Sequence, residues 1–196
     1  VYQKSKGERN TTPFGTQLDI YKEGYEFINH SMYPKVSKEV EEPTVTFGTK
    51  FTKNPYTASI FNISAMSFGS LSFAAIKALN GGAKLGDFYQ NTGEGGISEY
   101  HIKKGGDLVF QVGTGYFGCG KTEDGIRLFD QEMFRVNTRI KSVKMIELKI
   151  SQGAKPGHGG ILPAIKNTKE ISIIRGIEKI LRFQAHLHIV LSVIMK

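Results

Sequence analysis

The sequence predicts a parallel α/β fold, and three observations carry that reading. Strand-like and helix-like periodicities alternate from Ala58 onward. Four strand-like runs lie near residues 58–63, 87–91, 107–112 and 143–150. A loop of ligand-binding type follows each run, on the shared carboxyl side that a parallel arrangement creates. Four such strands are half of a (β/α)8 barrel.

Residues 1–56 are rich in Lys, Glu, Pro and aromatic residues without a sustained period, and read as an irregular N-terminal extension. The charges from Lys35 to Glu42 read as a solvated face. Residues 57–178 are expected to form the barrel domain and 179–196 an aberrant tail. Ser59–Ile63 reads as the first strand. Leu71–Asn80 reads as a helix with Leu71, Ala75, Ala78 and Leu79 on one face, capped by Ser70 or Ser72. Asn80-Gly81-Gly82 is expected to end it. Strands follow at Asp87–Asn91 and Leu108–Val112. Asp130 caps a helix whose apolar residues are Met133, Phe134 and Val136. In the fourth strand, Val143–Ile150, a two-residue period puts Ile146, Leu148 and Ile150 on one face and Met145, Glu147 and Lys149 on the other. Thr168 caps a last helix that Gly176 closes.

The chain has 196 residues, against about 250 for a complete barrel of this kind. It begins with Val1, so the sequence is expected to be incomplete at its amino end. No run of about 18 apolar residues and no leader pattern is visible, so no membrane segment is expected in the chain and a cytoplasmic location is. An upstream membrane segment stays open. The net charge of +8 is scattered, without a basic helix, a zinc-ligand pattern or an aromatic RNA motif, so no nucleic-acid partner is expected. Positive clefts also attract carboxylates and phosphates. The single cysteine, Cys119, excludes an internal disulfide and leaves no iron–sulfur ligand set; it reads as a small buried side chain.

The most informative loop is 149–160, where four glycines and a proline surround Gln152, Lys155 and His158. It joins a buried strand to a helical stretch, the place where α/β proteins set their ligand sites. Charged side chains on an interior face are costly unless they pair or meet a ligand. Glu147 can do either, as a buried ion pair or a ligand contact; Lys149, at the strand's carboxyl end, reads as a ligand contact. Elsewhere Gly69 permits a flat ring to approach the loop Met66–Ser70. Glu94, between glycines, either positions a substrate or caps a backbone amide.

This loop resembles the flavin-binding synthase domain of the glutamate synthases, above all its short bacterial and archaeal relatives. Asn62–Ser72, Asn91–Gly96 and Gly113–Cys119 strengthen the resemblance in the family's order, and Thr11–Gln17 is similar to its amino-terminal extension. The likeness runs from about residue 1 to 178. It implies the amino-terminal half of an FMN-dependent barrel that reduces 2-iminoglutarate, formed from 2-oxoglutarate and ammonia, to glutamate. Electrons would come from a partner protein or a nicotinamide cofactor. Met66, Ser67, Gln111 and Lys149 would hold the cofactor. Glu94, Gln152, Lys155 and Arg175 would hold the substrate, the Gln152 amide and Lys155 ammonium gripping a dicarboxylic keto acid. Arg175 has a second reading, a favourable charge at a helix carboxyl terminus. No catalytic residue and no metal ligand is assigned. The chain departs from the larger synthases at Ile161, where they carry glutamine, and at His158, where they carry glutamate.

After Gly176 the sequence leaves the family pattern. Back-translated and read one base over, Ile177–Lys196 can give a stretch resembling the expected continuation, which points to a frameshift or a sequencing error near Lys179. A genuine amphipathic helix is the competing reading. The chain as written is therefore expected to be an inactive fragment, carrying little FMN. The alternatives are a non-catalytic partner- or anion-binding fragment, or a flavin barrel with another substrate.

Overall fold

A computed structural model describes residues 19, 21–24, 26, 28–50, 52–150, 162 and 164–177. The chain divides into two compact units, Val1–Glu41 and Glu42–Lys196. In the first, the described residues form a single 3-10 turn at Ser37–Glu39, and Tyr21, Ile28, Met32 and Tyr33 are exposed. The second unit holds the sheets and the candidate site.

That unit mixes parallel and antiparallel sheets. It opens with a hairpin, β1 (Thr44–Phe47) against β2 (Tyr56–Ser59), in which Thr46 Oγ1 and Thr57 Oγ1 pair at 2.9 Å. The central sheet is parallel, in the order β3 (Tyr89–Asn91), β4 (Asp107–Val112), β7 (Val143–Leu148). A second hairpin, β5 (Gly120–Glu123) and β6 (Ile126–Phe129), leaves the loop after β4. Among the described residues the parallel sheet does not close on itself.

Three of the four expected strands are present: β4 fills its expected range, whereas β3 begins two residues later and β7 ends two residues earlier than expected. The first needs correction. Residues 58–63 are not one strand: Ala58 and Ser59 belong to the antiparallel hairpin, and only Ile63 joins the parallel sheet, as an isolated bridge to Gln90. Asn62 breaks the run because its side chain turns to accept from the Tyr89 amide at 3.1 Å. Ile63 still gives and takes a hydrogen bond each with the backbone of Tyr89 and Asn91, at 2.9 and 3.0 Å.

The first helix, α1 (Phe73–Leu85), starts on the Ser72 cap, whose hydroxyl accepts from Ala75 N at 3.2 Å. It does not stop at Asn80-Gly81-Gly82. Asn80 is buried and clasps Gly106, accepting from its amide at 3.2 Å and donating to its carbonyl at 3.4 Å. Tertiary bonding thus turns an apparent stop signal into a docking residue, and Gly86 is the actual cap. The buried face is Ile76, Asn80 and Ala83, whereas Ala78 is exposed.

A short α2 (Glu99–Ile102) follows β3, and α3 (Gln131–Thr138) starts where Asp130 accepts from Met133 N at 2.8 Å. That bond holds the Asp130 carboxyl below the usual range. Val136 of α3 is exposed rather than packed. After a 3-10 turn at Ala164–Lys166, Thr168 caps α4 (Lys169–Arg175), and Gly176, left-handed at φ +64°, ends it.

The register of β4 on β7 sorts the sheet's two faces. Phe110 lies beside Ile146 and Gln111 beside Glu147. Leu108, Phe110, Val112, Cys119 and Val143 form the helix-side core, with Phe134 and Ile146 against it. Full burial of Leu108 and of Phe110 stabilises the fold by about 1.5–3 kcal/mol each. Tyr89, Asn91, Val109, Gln111 and Glu147 lie on the other face, by strand alternation and register. A second cluster, Phe68, Ile76 and Ile171, packs α1 against α4.

Candidate functional site

The loops that leave Ile63, β3 and β4 meet at the carboxyl end of the parallel sheet. In the first, Ser67 O accepts from Ser70 N and Leu71 N, and the Ser67 and Ser70 hydroxyls pair at 2.9 Å. The second loop lies against it without space for a side chain. A Cβ on Gly93, whose φ is +67°, would sit 2.6 Å from Ser67 N, and one on Gly95 would sit 2.7 Å from Ser67 Cβ. Glycine is required here because two backbones touch. Thr92, fully buried, ties this loop to β4 by accepting from Gln111 N at 3.1 Å while donating to Gly93 O at 3.0 Å.

Glu94 is the hub. Its carboxylate lies 3.4 Å from Lys149 Nζ, with both side chains mostly buried. A Cβ on Gly113 would fall 2.7 Å from Glu94 Oε2, so the loop after β4 also presses on it. Arg175 approaches from α4. It is 5% exposed, its guanidinium is 4.9 Å from the centre of the Phe117 ring, and Nη2 is 3.5 Å from Phe68 O. Burial lowers the Arg175 pKa and the Glu94 charge opposes that fall. On the interior face, Gln111 Nε2 donates to Glu147 Oε1, while Gln111 Oε1 is buried without a partner among the described residues. The carboxylate can only accept, so it fixes which end of the amide points where. Glu147 is exposed and forms no buried ion pair among the described residues. It lines a cavity of about 250 Å³ with Asn62, Ser64, Tyr89 and Asn91.

Residues 8–183 match a family model described as the conserved region in glutamate synthase. The chain belongs to the glutamate synthase family. It is 43% identical over 124 residues to the glutamate synthase large subunit-like protein YerD of Bacillus subtilis (strain 168), covering 63% of this chain and 23% of that protein. It is 35% identical over 141 residues to the archaeal glutamate synthase (NADPH) of Archaeoglobus fulgidus, covering 72% of this chain and 24% of the relative. A glutamate synthase large subunit-like protein of Rhizobium meliloti (strain 1021) is 30% identical over 151 residues, covering 76% of this chain and 30% of its own length. The chain thus spans about a quarter of the length of the curated relatives it matches.

Of the residues singled out from the sequence, Ser67, Glu94, Gln111, Lys149 and Arg175 stand around these loops and strand ends, with Met66 beside Ser67. Gln152, Lys155, His158 and Ile161 lie outside the described residues. The glutamate synthase family implies a flavin, and the groups present fit its ring. Among the described residues, Gln111 Oε1 is a buried acceptor that lacks an N–H donor. A flavin ring edge carries such a donor, and the Lys149 ammonium would offset negative charge at the same end.

Two further residues escaped the sequence reading. His101, fully buried on α2, accepts at Nδ1 from the Ser98 amide at 3.2 Å, so its proton sits on Nε2, toward the Met66 carbonyl. Among the described residues that Nε2 makes no hydrogen bond of good geometry. Burial pulls the His101 pKa down to about 4. The other is Arg127 on β6, which donates to four backbone carbonyls among the described residues. The signal for its hairpin was Asp124-Gly125, where positive φ at both residues makes the turn that twisted hairpins favour. Cys119 is fully buried in the helix-side core and its thiol is pushed up to about 12, which makes it inert.

Proposed function

We propose that this chain supplies the amino-terminal wall of an FMN-dependent (β/α)8 barrel of glutamate synthase type. Residues 57–178 form the wall, and 1–56 the extension. The consecutive order Ile63, β3, β4, β7 supports the half-barrel reading, since parallel neighbours in chain order are how such a barrel grows. The observation that carries the function is the Glu94–Lys149 pair at the same end of that sheet as Gln111, whose Oε1 has no partner among the described residues.

In this reading the flavin supplies reducing equivalents to 2-iminoglutarate, made from 2-oxoglutarate and ammonia. The residues of the chain bind and orient. Gln111 accepts from the ring edge, Lys149 offsets charge at the ring, and Met66 and Ser67 back it with main chain. Glu94 receives the substrate's nitrogen end through its carboxylate, while Gln152 and Lys155 grip the keto acid's carboxylates and Arg175 adds charge. The reductant reaches the flavin from a partner protein or a nicotinamide; the NADPH in the archaeal relative's name favours the latter. The 179–196 tail is a frameshift product in this reading, and sequencing the gene across codons 175–200 decides it.

The test is a flavin spectral titration with 2-oxoglutarate in a full-length, frame-repaired protein. Lys155→Met should weaken 2-oxoglutarate binding roughly 10-fold or more, as loss of a charge-assisted bond of about 1.5–3 kcal/mol requires, and leave flavin content unchanged. Lys149→Met should lower flavin content. Unchanged keto-acid affinity in Lys155→Met removes the substrate assignment.

A further inference from the structure

We propose that Arg127 is a positioning residue that fastens the carboxyl end of α4 to the loop after β4 and so holds Arg175 beside Glu94. The consequence for turnover rests on the reading of Arg175 and Glu94 as substrate-side groups; the clamp itself does not. Arg127 Nε donates to Gly115 O at 3.1 Å. Its Nη2 serves Tyr116 O at 3.1 Å and Arg175 O at 2.8 Å, and Nη1 donates to Gly176 O. Two of these carbonyls belong to the loop that carries Phe117, and two to the end of the helix that carries Arg175.

The chemistry explains the choice of residue. The last carbonyls of a helix lack intrahelical donors, and a cation there also offsets the helix dipole. Only a guanidinium spreads five N–H groups in a rigid fork; a lysine has three on one rotating point. Burial lowers the Arg127 pKa, yet the group stays charged. The clamp is closed tightly: a Cβ on Gly176 would sit 3.1 Å from Gly120 O and 3.4 Å from Arg127 Nη2. Arg175 is the side chain whose place depends on both clamped segments. It stacks on Phe117 from one and projects from the other, and a Cβ on Gly95 would come within 3.2 Å of its Nη2.

The experiment follows the Arg175 Nε–H resonance in the 15N-labelled full chain, where the Phe117 ring shifts it and burial slows its exchange. Arg127→Lys should move that signal toward free-arginine values and speed exchange about 10-fold or more, with the amides of β3, β4 and β7 still protected. Gly176→Ala, which opens the clamp from the other side, should do the same. Ile126→Ala, an exposed neighbour on the hairpin, should change neither. In the full-length flavin-loaded protein, Arg127→Lys should raise KM for 2-oxoglutarate about 10-fold with kcat little altered. An Arg175 signal that stays in place in both clamp variants overturns the proposal, as does loss of sheet protection in both. A signal that moves while KM does not upholds the clamp and removes Arg175 from the substrate site.

Discussion

The two ends of the parallel sheet solve their polar bookkeeping differently. At the amino end, Tyr56 donates to Asp107 at 3.0 Å, and Lys144 sits 3.6 Å from the same carboxylate. The carboxylate raises the Tyr56 pKa together with burial, which comes first among its causes. Asp107 there takes one partner from β2 and one from β7. At the carboxyl end, Gln111 Oε1 is buried and unanswered among the described residues, and backbones touch at Gly93. The contrast teaches where the fold is stapled and where it stays ready for a ligand. A protein tolerates a buried orphan acceptor, at a cost of about 1–3 kcal/mol, where something else answers it.

The largest expected effect tests the close approach. Gly93→Ala should destabilise the chain by about 4 kcal/mol or more, because a left-handed residue must also push a Cβ into the Ser67 and Met66 main chain. Gly105→Ala, before β4 at the amino end, is also left-handed at φ +72° but meets nothing within 4 Å. It should cost only about 1–2 kcal/mol. Urea denaturation of both variants checks the difference; equal losses would mean that strain alone, not contact, requires glycine at Gly93.

Next in size is a pH effect confined to the carboxyl end. Burial holds the folded His101 pKa down at about 4, against 6.5 for an unperturbed imidazole. The unfolded chain therefore binds the proton first on acidification. The stabilisation from neutral His101 is fully present above pH 6.5 and lost as pH falls toward about 4, in total roughly 3 kcal/mol. His101→Gln should flatten stability over that window. An unchanged pH profile in this variant would show that His101 is solvated in solution.

Smaller effects separate the ends most sharply. Tyr56→Phe should cost about 1 kcal/mol, the net worth of one hydrogen bond, and leave flavin affinity alone. Gln111→Leu should do the opposite. It removes an orphan acceptor along with one bond to Glu147, so ligand-free stability should stay within about 1 kcal/mol while flavin binding weakens. A Gln111→Leu protein that loses stability but not flavin affinity would place the orphan in the ordinary core.

Much of this was legible in the chain because it is local. Alternation in Val143–Leu148 sorted Ile146 from Glu147, and Thr168, Asp130 and Ser72 cap helices as their sequence positions imply. Local periods and caps depend on residues within one turn or one pleat, so sequence alone determines them. The glycines of Asn91–Gly96 likewise announced a loop under constraint.

What only the tertiary structure decided involves groups far apart in the chain. Asn80 reads as a helix stop until Gly106 arrives to bond it, and residues 58–63 read as one strand until β1 claims their first part. His101 and Arg127 carry no motif, since their meaning lies in carbonyls and amides of loops that folding brings to them. Likewise, Glu94 and Lys149 each looked like ligand groups, but that they face one another at 3.4 Å is a fact of the sheet's register. A side chain's type is written locally, whereas its partner is chosen by packing, and at this site the partner defines the chemistry.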